Sequence, residues 1–364
     1  MADTKPVVAF LGPKASYTHQ ATVSSFPEKE YDLQPQTSIE DVFAAVQSGT
    51  ASHGVVPFEN SSNGSVVFTL DLFADRDGKY SDILVEGEIY LPVRHCLLGH
   101  PSTNTNTNTT SRSGSPTKRT DLPWRRLQND SPNISGAVTP TQAAPNPTKP
   151  KTAPAQDITH IKKLYSHPQA WGQCHLFLST YLKSTERQDV SSTSKAAELV
   201  AQDTTGTSAA ISSKIAAEMN GLSVLAEGIE DREGNSTRFF ILRHAASPSP
   251  TPPPSIDPSH FKTLISFTVS HTSPGALADS LAVFKAHDLN LTSINTRPSG
   301  EGGRAWQYIF FVEVMGRKEG EGEGGKVNEA LRELGGVCRG WRWLGSWENK
   351  LLAEKNGGKN GELK

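Results

Sequence analysis

Short apolar runs alternate with amphipathic stretches through the first hundred residues. Val7–Leu11 reads as a buried strand, the pair Gly12 and Pro13 as a turn, and residues 17–25 as a helix capped by Ser16. Thr37 with Glu40 forms a capping-box pattern. The helix it opens places Ile39, Val42, Phe43 and Val46 on one face and stops at Gly49. Val55 and Val56 predict another buried strand. Ile83, Val85, Ile89, Leu91, Val93 and Leu97 then alternate with period two, which predicts one long extended segment with a single buried face. The βα alternation resumes with a strand near 161–165, a helix opened by Pro168, and strand-helix pairs over 190–201 and 209–219. This argues for an α/β region with largely parallel sheets. From residue 261 the pattern changes to strand (264–269), helix (276–286), strand (291–297), strand (306–314), helix (327–334) and a short strand near 341–344. That βαββαβ order is ferredoxin-like.

Two stretches interrupt these patterns. Residues from about 100 to 156 carry Thr-Asn repeats, many Pro and Ser, and scattered apolar side chains. Such a segment buries too little to offset ordering entropy and predicts a disordered insertion in a surface loop. Residues 245–258 include Pro248, Pro250 and Pro252 to Pro254, the composition of a semi-rigid spacer between domains. The resulting division is a first region over 1–244, the spacer, a second domain over 259–347 and a polar tail over 348–364. A glycine-rich patch over 316–325 reads as a loop.

The chain has 364 residues, with 36 Lys and Arg against 38 Asp and Glu, a net charge of −2. That balance supplies no field for nucleic acid or an anionic membrane, so a small molecule is the expected partner. Cys96, Cys174 and Cys338 are far apart, odd in number and without metal-ligand spacing, which fits reduced thiols and a cytoplasmic protein. No run approaches the ~18 apolar residues that a membrane helix needs.

Several strand ends lead into helix starts rich in hydroxyl and amide groups: Ser16-Tyr17-Thr18, Glu59-Asn60-Ser61-Ser62, Ser191-Ser192-Thr193 and Ser212-Ser213. Each alone is a good helix cap. Together they offer free N–H groups and positive helix ends to an anionic substrate. There is no GxGxxG after a strand, no Walker loop and no HExxH, so no nucleotide cofactor or metal is expected.

Two elements are more specific. Val55-Val56-Pro57-Phe58-Glu59-Asn60-Ser61-Ser62-Asn63-Gly64-Ser65-Val66 resembles the "VPIENS..GSV" element of prephenate dehydratases, and Asn235-Ser236-Thr237-Arg238-Phe239 their "TRF" signature. Phe10-Leu11-Gly12-Pro13-Lys14-Ala15-Ser16-Tyr17 is similar to their opening "FLGP.GSY". Ser166-His167-Pro168-Gln169-Ala170 with Cys174 resembles "SHPQ...QC". The resemblance implies two α/β subdomains like those of type 2 periplasmic binding proteins, with the site between them. It also implies conversion of prephenate to phenylpyruvate, water and carbon dioxide without a cofactor. In that reading Arg238 pairs with a substrate carboxylate and Thr237 serves the departing hydroxyl as hydrogen-bond donor or relay. Glu59 is the other acid candidate if buried and protonated; a turn cap is an equal alternative. Phe239 supplies an apolar wall, and Asn60, Ser61, Ser16, Tyr17, Ser192 and Thr193 are expected to bind substrate.

The C-terminal pattern resembles the ACT domain appended to this family. Gly275-Ala276-Leu277 stands for its "GAL" loop and Asn295-Thr296-Arg297-Pro298 for its "ESRP" motif, with Asn295 and Thr296 replacing Glu and Ser. This implies regulation by L-phenylalanine at Pro274, Gly275, Ala276, Leu277, Asn295, Arg297 and Pro298, and pairing of chains into a homodimer or tetramer. Arogenate dehydratase, whose substrate differs by an amino group, and a non-catalytic amino-acid sensor are the competing readings.

Overall fold

A computed structural model describes residues 5–101, 149–248, 257–300, 306–320 and 324–352. Most of the expected insertion (102–148), most of the spacer (249–256), part of the glycine-rich patch (321–323) and the tail from 353 lie outside the described residues. The chain forms two compact units. One holds Met1–Pro13, Thr18–Leu91 and Ser236–Lys364, the other Lys14–Tyr17 and Pro92–Asn235.

The first unit contains β1 (Val7–Leu11), most of α1 (Tyr17–Ser25), β2 (Asp32–Gln36), α2 (Ile39–Gln47), β3 (His53–Asn60), β4 (Gly64–Ser65), α3 (Val67–Ala74) and β5 (Ile83–Pro92). The strand β11 (Ser236–His244) returns to it after the second unit. The sheet order is β2-β1-β3-β11-β5, with β4 beside β3. β1 is parallel to β2 and β3, whereas β11 runs antiparallel to β3. The sheet is therefore mixed rather than largely parallel, because β11 enters it without a crossover helix. The capping box at α2 is one residue later than expected. Asp41 N–H donates to Ser38 Oγ at 3.1 Å and Ser38 N–H to Asp41 Oδ2 at 2.9 Å.

The segment expected as one long strand is two. β5 ends at Pro92, which has no N–H for a ladder, and β6 (Cys96–Gly99) belongs to the second unit. There β6 joins β7 (Lys163–Ser166), β8 (Glu186–Asp189), β9 (Ser208–Ser212) and β10 (Ser223–Glu227) in the order β10-β6-β9-β7-β8. Helices α4 (Pro168–Gln173), α5 (His175–Tyr181), α6 (Thr193–Ala201) and α7 (Lys214–Asn220) complete it. Residues 149–156, assigned by composition to the insertion, are packed in this unit: Lys151 Nζ pairs with Glu230 Oε1 at 2.6 Å, and Ala155 N–H donates to Leu225 O at 2.8 Å.

The C-terminal part consists of β12 (Phe261–Thr268), α8 (Ala276–Ala286), β13 (Leu291–Pro298), β14 (Tyr308–Met315), α9 (Lys326–Val337) and β15 (Gly340–Glu348). The antiparallel order β13-β14-β12-β15 is the ferredoxin-like one. One face carries the core of Ile265, Phe267, Phe284, Val312, Leu331 and Leu334. The other places Leu264, Phe311, Leu344 and Trp347 in one cluster with Val56, Phe58, Val85 and Phe240 of the first sheet. The C-terminal sheet is thus packed into the first unit rather than set apart by a spacer. Gly345 shows how close the approach is: at φ +134°, a Cβ there would lie 2.1 Å from Val85 O. Arg342 Nη2 seals the same seam by donating to the carbonyls of Tyr80, Ser81 and Ile83 at 2.7, 2.8 and 3.2 Å.

Candidate active site

The two motif strands lie side by side. In the β3–β11 ladder Thr237 faces Asn60 and Arg238 faces Glu59, although 177 positions separate Thr237 from Asn60 in the chain. Asn60 Oδ1 accepts the backbone N–H groups of Ser62 and Asn63, each at 3.0 Å, which fixes which end of the amide is oxygen. Its Nδ2 therefore donates to Thr237 Oγ1 at 3.0 Å and to Ser236 O at 3.2 Å. Ser61 locks the same corner, since its N–H donates to Ser236 O at 2.9 Å and its Oγ accepts from Ser236 N–H at 3.0 Å. A hydroxyl that accepts one hydrogen bond still has its own proton to give. Asn60 thereby orients Thr237 as a donor.

A β-bulge follows immediately: Arg238 is opposite Glu59 but Phe239 is opposite Pro57, leaving Phe58 as the extra residue. Strand alternation puts Thr237 and Phe239 on one face of β11 and Arg238 and Phe240 on the other. Phe239 is fully buried. The expectation for Arg238 is overturned by this alternation. Its guanidinium, 7% exposed, turns away from Thr237 and binds Glu88 Oε2 at 2.6 Å and Glu313 Oε2 at still closer range. Lys262 Nζ completes a four-charge cluster, 3.3 Å from Glu88 Oε2 and 3.5 Å from Glu313 Oε1. The rings of Phe58, Tyr90, Phe240 and Trp347 surround the guanidinium at 4.9 to 5.9 Å. Burial opposes the Glu313 charge, but Arg238 and then Lys262 outweigh it and hold that carboxyl below its ordinary range. Withdrawing Arg238 for a substrate carboxylate would leave two buried anions facing one cation, a loss on the order of 3–5 kcal/mol. Glu59 is half-buried, short of the enclosure that an acid role called for, and Arg238 pairs with Glu88 and Glu313 rather than with it.

In the second unit, Ser192 Oγ accepts from Lys195 N–H at 3.0 Å and so caps α6, with Thr193 half-buried in its first turn. Ser194 beside them is buried and its Oγ has no partner, as is true of Ser212 at the end of β9. Ser16 is half-buried before α1. The Tyr17 hydroxyl donates to Arg94 O at 3.0 Å and lies 3.2 Å from His95 Nδ1, while His95 Nε2 is 2.7 Å from Gln173 Oε1. Glu230 accepts the His95 backbone N–H at 2.9 Å and the Lys151 ammonium at 2.6 Å. Burial pushes His95 below its ordinary 6.5 and Tyr17 well above its own value, so the pair is neutral near pH 7. Sequence reasoning missed His95, Gln173 and Glu230. Gln173 alone had a signal, since it immediately precedes Cys174 in the recognised "QC" pair.

The regulatory candidates fall in two places. Gly275, at φ +83°, turns the chain into α8 beside a cavity of about 510 Å³ lined by Val269, His271, Gly275, Ala276, Leu277 and Phe310. Pro274 precedes this turn. Asn295, Arg297 and Pro298 do not line it, because β13 lies one strand further out, beyond β14. They bind the first sheet's surroundings instead. Asn295 Oδ1 accepts from Ser65 Oγ at 2.6 Å, Arg297 grips Asp71 with two bonds of 2.8 and 2.9 Å, and Pro298 O accepts from Arg76 Nε at 2.8 Å. Among the described residues no group of three or more His, Cys, Asp or Glu could hold a metal ion, and no helix is long and apolar enough to cross a membrane.

The prephenate dehydratase family profile matches residues 8–114 and 151–247. The chain belongs to the prephenate dehydratase family. It is 32% identical to the bifunctional chorismate mutase/prephenate dehydratase of Aquifex aeolicus over 97% of this chain and 76% of that protein. It is also 30% identical to a probable prephenate dehydratase of Saccharomyces cerevisiae, over 87% and 90% of the two chains. The solved structure of an Arthrobacter aurescens prephenate dehydratase in complex with L-Phe superposes with a TM-score of 0.67 at 23% identity, covering 97% of this chain and 98% of that one. These matches extend past the profile into the C-terminal sheet, and the structural one supports the fold.

Proposed function

We propose that this chain catalyses the decarboxylating dehydration of prephenate to phenylpyruvate, a step toward L-phenylalanine. The observation that carries the reading is the join of the two family motifs at one point, where Asn60 donates to Thr237 Oγ1 at 3.0 Å. In this reaction the electron pair of the departing carboxylate's C–C bond becomes ring π density, the ring C–O bond breaks, and the oxygen leaves as water after taking one proton. Aromatisation supplies the driving force, so the protein must bind, orient and donate. Thr237 is placed at the leaving hydroxyl, as donor or relay, with Phe239 beside it and Ser61 closing the corner. Glu59 sits opposite Arg238 in the ladder, on the face away from Thr237, so no proton-transfer role falls to it. With Arg238 engaged elsewhere, Ser16, Tyr17, Ser192 and Thr193 remain the carboxylate-binding candidates that the family resemblance implies.

The C-terminal sheet is proposed to be an ACT domain that receives L-phenylalanine at the 274–277 turn, where the start of α8 offers N–H groups to its carboxylate and the adjoining cavity admits an apolar side chain. Pairing of chains through this part is proposed with it. The test is the purified full chain with prephenate and, separately, arogenate, each with and without L-phenylalanine, following phenylpyruvate or phenylalanine formation. A higher kcat/KM for prephenate and a response to L-phenylalanine are expected; no turnover of either substrate would overturn the reading.

A further inference from the structure

Arg238 is adjacent in the chain to Thr237 but faces the other way, and both carboxylates that hold its guanidinium are buried. Glu88 comes from β5 of the first sheet, while Glu313 and Lys262 come from β14 and β12 of the C-terminal sheet. The side chains of Glu88, Glu313, Lys262 and Arg238 are 0, 2, 5 and 7% exposed. Two cations and two anions leave no net charge. The cluster is further pinned by Thr292 Oγ1, which donates to Glu313 Oε1 at 2.6 Å, and by Tyr90, whose hydroxyl donates to Glu88 Oε2 at 3.2 Å. The bulge at Arg238 and Phe239 is where the β3–β11 ladder is irregular, so backbone hydrogen bonds alone constrain this stretch of β11 less than a regular ladder would.

We infer that Glu313 and Glu88 are positioning residues for the dehydration: by gripping Arg238 from behind the strand they set the place of Thr237 on its front. The C-terminal sheet is then a working part of the catalytic strand's support as well as a regulatory appendage. A shift of β14 relative to β11 loosens the grip and reaches Thr237 through one peptide unit, which gives an effector bound near α8 a direct route to turnover. The chemistry asks for this arrangement. A proton donor displaced by about 1 Å loses on the order of a hundredfold in rate, while substrate affinity, set by other groups, changes little.

This inference rests on the dehydratase reading, and wild-type turnover of prephenate separates the two: an inactive wild type overturns the functional reading and this inference with it, whereas the variants below overturn the inference alone. With active wild type, the double variant Lys262→Met/Glu313→Gln keeps the cluster neutral and leaves Arg238 on Glu88. Thr292→Val is the milder probe, because residue 292 is exposed and valine matches threonine in shape. Expected are a fall in kcat of about tenfold or more for the double variant and about threefold for Thr292→Val, with KM within about twofold of wild type in both. A merely structural cluster would lower the melting temperature and leave the kcat of the folded protein unchanged. Wild-type kcat in folded Thr292→Val, or a change confined to KM in either variant, overturns the proposal.

Discussion

Thr237 and Arg238 are neighbours with opposite surroundings, and the alternation of a β-strand is the reason. Thr237 is half-buried with its oxygen occupied by Asn60; Arg238 is sunk among four rings and two carboxylates. Thr237→Ala removes the oriented donor but only one methyl-sized packing group, so kcat should fall by about a hundredfold or more with the circular dichroism spectrum unchanged. Turnover near that of the wild type would remove Thr237 from the mechanism. His95 gives a prediction in pH. Because burial holds its folded-state value below the ordinary 6.5, the unfolded chain takes up a proton first as pH falls. Its stabilising contribution is complete above about pH 6.5 and is lost as pH falls toward the depressed folded value. The urea midpoint of wild type should therefore drop between about pH 7.5 and about pH 5.5 by more than that of His95→Gln. Equal drops would show that His95 titrates alike in both states.

At the scale of elements, the join between β15 and β5 is decided by one glycine. The backbone at Gly345 has φ +134°, and a side chain there would meet the Val85 carbonyl. Gly345→Ala should force the strands apart at a cost of about 1–3 kcal/mol, read as a lowered melting temperature, and the disturbance should reach turnover because Trp347 two residues on packs over Arg238. An unchanged melting temperature would mean that the seam is looser than its geometry. Element identity was legible in the chain wherever one face is apolar. The α2 face of Val42, Phe43 and Val46 is buried as periodicity predicts. The boundaries were less so. Ser38 with Asp41 and Thr37 with Glu40 both carry a capping pattern one residue apart, and only the helix start at Ile39 selects between them. Likewise the period-two run through Leu97 says nothing of Pro92 as the point where the chain leaves one sheet for another.

For the whole molecule, the shared core of the first and C-terminal sheets changes what truncation should do. A proline-rich spacer suggests separable parts. Leu264, Phe311, Leu344 and Trp347 instead cover Phe58, Val85 and Phe240, so a chain ending at residue 248 exposes an apolar sheet face. That truncated chain should aggregate or elute as higher oligomers on size exclusion, and should turn over prephenate at least about tenfold more slowly than the full chain. A monomeric, fully active fragment would show that the seam contributes neither stability nor positioning.

The residues by themselves determined the alternating α/β character, the βαββαβ order after residue 261 and the two motifs, because local periodicity, caps and turn residues are properties of nearby positions. They also pointed to Thr237, Asn60 and the 275–277 turn. Which face a strand presents to which partner depends on contacts between residues 75 to 177 positions apart, and that was decided only in three dimensions. The ladder between β3 and β11 brought Asn60 to Thr237, the alternation of β11 turned Arg238 away from Thr237, and Glu88 and Glu313, unmarked in any local pattern, became its partners. A buried charge takes its meaning from the opposite charges around it, and these came from strands that only folding places together.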